Sequence, residues 1–77
     1  MKDADIAREI ARLAEDRGPG RTFCPSEVAR ALAADWRPLM PEVRRVAAGM
    51  EEIVVTQGGV PVDPEGAQGP VRLGKAC

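Results

Sequence analysis

Arg44 and Arg45 are the residues of this chain best placed to act on a partner. A guanidinium is a planar fork of N–H donors that suits guanine edges and phosphates alike. Both arginines fall in the early turns of a helix that Pro41 should open, the place from which a helix-turn-helix protein meets base edges. Ala48 and Gly49 beyond them are small enough to admit a close approach. Arg37, in the preceding turn, and Arg21, ahead of the second helix, are positioned to add phosphate contacts. The chemistry expected is modest, salt-sensitive nucleic-acid binding. In the alternative, these arginines only solubilise a surface helix and pair with Glu42 or with Glu51 and Glu52.

The remaining candidates point elsewhere. From Gly58 to Gly69 the chain carries Asp63 and Glu65 and no basic residue, a sign that phosphates repel. Arg72 and Lys75 follow and compensate only in part. Asp63 is expected to cap a turn, since calcium takes about 6–8 oxygens and two acids fall far short. Trp36 should close the core rather than stack on a base, because it has no aromatic companion nearby. Cys24, at a helix start, is expected to be a packed thiol, and the chain holds no histidine to serve as its base. Thr56 and Gln57 are explained by strand pairing and turn formation. With no histidine and two cysteines, the usual four-ligand zinc site cannot be assembled. No nucleophile–base pairing and no phosphate-cradling Gly-x-x-x-x-Gly-Lys loop is present. No catalytic residue, metal or cofactor is therefore expected. The rival to nucleic-acid binding is a protein-interaction module, in which Val60, Pro61 and Val62 offer a small apolar strip.

Composition bounds these choices. A chain of 77 residues should form one domain, with a thin core that buries about 60–65% of the surface exposed on unfolding. Apolar residues make up 44% and charged residues 30%, and the net charge of −1 lacks the basic bias common in phosphate-holding domains. Cys24 and Cys77 make a poor disulfide framework, so reduced thiols are expected. The acidic N-terminus has no apolar leader run, and no stretch reaches the roughly 18 apolar residues of a membrane span. A cytoplasmic monomer or weak dimer is expected.

These residues must be positioned by short elements. Ile6, Ile10, Leu13 and Ala14 fall on one stripe and predict a first helix from about Ala4 to Asp16, with Asp3 as its cap and Arg12 reaching Glu15 or Asp16. Gly18, Pro19 and Gly20 end it. Arg21 to Phe23 reads as a brief strand. A second helix is predicted from Pro25 to about Ala34, with Glu27 reaching back to the cap N–H and Phe23 stapled to Val28. The bias of a residue before proline predicts an extended Met40 and a third helix from Pro41, with Val43, Val46, Ala47 and Met50 inward. Ile53 to Gln57 is a dense run of strand formers. Its preferred partner is Pro70 to Leu73, leaving Gly58 to Gly69 as a wing; a tighter hairpin at Gly58 and Gly59 is the alternative. Pro61 belongs on an edge or loop.

In order along the chain, RTFCPSEVARAL, MPEVRRVAA, VVTQGG and VDPEGAQGPVRL resemble a family of short bacterial proteins of unknown function. The resemblance covers roughly residues 6–73. It implies an α+β winged helix-turn-helix fold, three helices with a small antiparallel sheet, and a loose kinship with DNA-binding domains. It supplies no substrate, ligand or site residue, and fold alone does not carry function.

Overall fold

A computed structural model describes residues 2–76, in which three α-helices accompany a four-stranded antiparallel sheet. Helix α1 spans Asp3–Arg17, strand β1 Thr22–Phe23, and helix α2 Pro25–Leu32. A 3₁₀ turn over Arg37–Leu39 leads into α3, Met40–Ala48. Strands β2 (Ile53–Gln57), β3 (Val60–Pro61) and β4 (Arg72–Lys75) complete the order, which is compatible with a winged helix. Cys77, and with it any pairing to Cys24, lies outside the described residues.

The core forms where the helical stripes meet the inner sheet face. Ile6, Ile10, Leu13 and Ala14 of α1 are buried, as the spacing requires. They join Val28 and Ala29 of α2 and Val43 and Ala47 of α3 in one cluster. Val46 and Met50, expected inside, are only partly buried and flank it. Leu73 is paired with Phe23 on one side and Val55 on the other, so one buried cross-strand row backs the helices. Burying each large apolar side chain contributes about 1.5–3 kcal/mol, and this row supplies three. No polar or charged residue is buried among the described ones.

Several local expectations need correction. Helix α1 begins at Asp3, with Lys2 as the cap residue, and the Lys2 N–H donates to Asp5 Oδ2 at 3.3 Å. Arg12 pairs backward with Glu9 rather than forward with Glu15 or Asp16. Helical side chains lean toward the N-terminus, which favours the backward partner for a long arginine. Helix α2 stops at Leu32, two residues early, where Ala33 turns extended while its N–H still reaches the Ala29 carbonyl at 3.1 Å. Met40 is helical, not extended (φ −56°, ψ −47°). The bias against helix before proline is overcome because the Met40 N–H bonds to the Arg37 carbonyl and its side chain packs against the core.

The wing combines both pairings considered. Gly58 and Gly59 have φ of +60° and +83° and close a two-residue turn between β2 and β3, with Gln57 facing Val60. Positive φ at both central positions is what a tight hairpin needs. The return strand also pairs with β2, but over Arg72–Lys75 rather than from Pro70 to Leu73. Pro70 has no N–H to give a ladder, while the shifted strand pairs on two sides and sends Leu73 inward. Pro61 lies on the sheet edge.

Candidate interaction surface

The guanidinium of Arg44 turns from α3 toward the loop between β3 and β4. It donates to the carbonyls of Pro64 (3.3 Å), Ala67 (3.0 Å) and Gly69. From the other side Gln57 Nε2 donates to the carbonyls of Gln68 (2.6 Å) and Pro70 (3.1 Å). Two side chains thus hold a loop that makes few backbone bonds of its own. Asp63 Oδ1 accepts the Glu65 N–H at 3.0 Å, the turn-capping role expected of it.

Arg45 turns the opposite way, toward the start of α1. Its Nη2 and Nη1 donate to the two carboxylate oxygens of Asp3 at 2.7 and 2.9 Å, and it also pairs with Glu42. The hydrogen bond that Arg45 donates to Asp3, then that to Glu42, raises the Arg45 pKa, and Arg45 in turn holds the Asp3 carboxyl below its ordinary range. Adjacent in sequence, the two arginines therefore serve different neighbours, and neither presents an unengaged fork to solvent. A shallow groove of about 620 Å³ lies between them, bordered by Met40, Pro41 and Pro64 and also lined by Glu42 and Glu65.

Arg37 and Arg21 are exposed and make no ion pair among the described residues. Arg37 lies over the Trp36 ring, 4.8 Å from its centroid, and Arg30 of α2 lies 4.6 Å from the same point. Trp36 is half-buried against the core, in keeping with the packing role expected. Arg21 stands apart, ahead of β1. The nearby Arg72 donates to the Thr22 carbonyl (3.0 Å) and hydroxyl (3.1 Å), and Lys75 pairs with Glu15 at 2.7 Å. Arg30 was missed by sequence reasoning. The only signal was its position six residues ahead of a lone tryptophan, which does not fix a ring contact.

The start of α2 is held by Glu27. It accepts the Cys24 N–H at 3.1 Å and pairs with Arg17 at 2.6 Å. The Arg17 hydrogen bond is the main cause that lowers the Glu27 pKa; burial opposes it and the Cys24 N–H assists. Cys24 is half-buried, and Ser26 Oγ donates to its sulfur at 3.1 Å.

A family model described as "Protein of unknown function (DUF3253)" matches residues 3–76, from the first residue of α1 to one past β4. The chain belongs to the DUF3253 family. None of the curated proteins compared with it matches. Family membership therefore fixes kinship across nearly the whole chain, including both arginine sites, and leaves the activity to be argued from geometry. Among the described residues of this DUF3253 chain, no helix is long and apolar enough to cross a membrane.

Proposed function

We propose that this chain is a small, single winged-helix domain that works as a non-catalytic protein-interaction module, as a monomer or weak dimer. The observation that carries the reading is the engagement of both α3 guanidiniums within the chain, Arg44 by loop carbonyls and Arg45 by Asp3 and Glu42. To read a base edge, either arginine must first give up charge-assisted hydrogen bonds that already satisfy it. The net charge of −1 and the acidic Asp63–Glu65 turn add no attraction for phosphates. Val60, 61% exposed at the sheet edge, and Val54 of β2 each add an exposed apolar side chain.

A second reading, weak nucleic-acid binding, is favoured by the helix-turn-helix order and by the exposed Arg37 and Arg21. Two measurements separate them. Anisotropy titration of a labelled duplex at low and high salt should give only weak, salt-erased binding, unchanged by Arg45→Ala. Affinity capture from nuclease-treated lysate should still retain a protein partner. Tight duplex binding that Arg45→Ala removes, or loss of every captured partner with nuclease, would reverse the order of the two readings.

A further inference from the structure

The corner between α2 and α3 holds two cations that form no ion pair with any of the described residues. Arg30 and Arg37 sit 4.6 and 4.8 Å from the centroid of one indole, that of Trp36. Both are exposed, and among the described residues neither side chain makes an ion pair or a hydrogen bond. This sets them apart from Arg8, Arg12, Arg17 and Arg45, each of which has a carboxylate. Contact with an aromatic ring satisfies the face of a guanidinium and leaves its in-plane N–H donors unused. The ring also restricts the motion of two long side chains, lowering the entropy cost when a ligand later orders them.

We propose that Arg30, Trp36 and Arg37 form a receptor for a carboxylate-rich peptide segment of a partner protein. This rests on, and sharpens, the protein-interaction reading. Two guanidinium forks match two carboxylates, each able to accept a pair of parallel hydrogen bonds. A nucleic acid fits less well. The indole is already engaged by guanidiniums, which hinders base stacking, and two cations release few counterions from a phosphate track.

Trp36 is the sole tryptophan, so its fluorescence reports directly on the site. Titration with a hexaglutamate peptide should shift its emission saturably, more strongly at low salt, while hexalysine leaves it unchanged. Arg30→Gln/Arg37→Gln should weaken hexaglutamate binding roughly tenfold or more, with the far-ultraviolet circular dichroism of wild type. No emission change and no calorimetric binding with hexaglutamate would overturn the proposal, as would equal affinity in the double variant. Tighter binding of an oligothymidylate would overturn it by assigning the corner to nucleic acid. Capture from nuclease-treated lysate separates the two levels. A protein partner kept by wild type and double variant alike sinks this corner and spares the broader reading. Loss of every partner from wild type sinks the broader reading.

Discussion

Arg44 illustrates how one side chain can belong to a fold instead of to a ligand. Its guanidinium ties α3 to the 62–71 loop, and Gln57 ties the end of β2 to the same loop. Arg44→Met keeps the length of the stem and removes every donor. It should lower unfolding stability by about 2 kcal/mol in urea titration and speed amide exchange in that loop. A wild-type midpoint with unchanged exchange would show that Gln57 and the loop's own turns suffice. Glu27 gives a prediction in pH. Its folded pKa is lowered by Arg17, so its contribution is complete above the unfolded value of about 4.3 and is lost as pH falls through the lower folded value. Asp3, lowered by Arg45, acts in the same direction. Glu27→Gln retains an acceptor but cannot ionise. Its urea midpoint should therefore fall less than that of wild type between about pH 6 and about pH 3. An equally steep acid limb would remove Glu27 from the account.

At the level of elements, the two-residue turn between β2 and β3 is set by backbone geometry alone. Gly58→Ala together with Gly59→Ala should cost about 1 kcal/mol or more per site in thermal unfolding, since both positions have positive φ. A variant as stable as wild type would mean that the turn relaxes to another type without cost. The same turn shows what could be read from sequence. Periodicity located the three helices, because Ile6, Ile10, Leu13, Val28, Val43 and Ala47 must all face one core. Glu27 was legible as the reciprocal cap because capping chemistry is local. The register of β4 was not, since it depends on pairing with both β1 and β2, partners distant in sequence. Nor were the loop carbonyls that take Arg44 or the Asp3 carboxylate that takes Arg45, although Glu42 as a local partner of Arg45 was. Adjacent residues on a helix diverge by about 100°, and which neighbour lies within reach is a property of tertiary packing. The bias before proline misled at Met40 because a single bond to Arg37 and a core contact outweigh it.

Across the whole molecule, the ties run between sequence-distant parts. Asp3 meets Arg45, Glu15 meets Lys75, and Arg17 meets Glu27, so α1 is bound to α3, β4 and α2 in turn. These pairs are exposed or only part-buried, and individually weak. What makes the unit cooperative is the apolar cluster, to which all three helices and the central strands contribute. Trp36 packs against that cluster while its ring also carries Arg30 and Arg37. Its fluorescence should therefore report global unfolding, and in urea its transition should coincide with that of circular dichroism at one midpoint. Leu73→Ala, which empties the middle of the buried cross-strand row, should move both probes together by about 2–5 kcal/mol. Arg30→Gln/Arg37→Gln should leave both within about 0.5 kcal/mol of wild type, because the ring contacts are peripheral to the core. If the fluorescence change precedes the circular dichroism change, the corner opens independently of the core. The two guanidiniums would then be presented by a mobile loop, and the preorganisation that favours carboxylate capture would be lost.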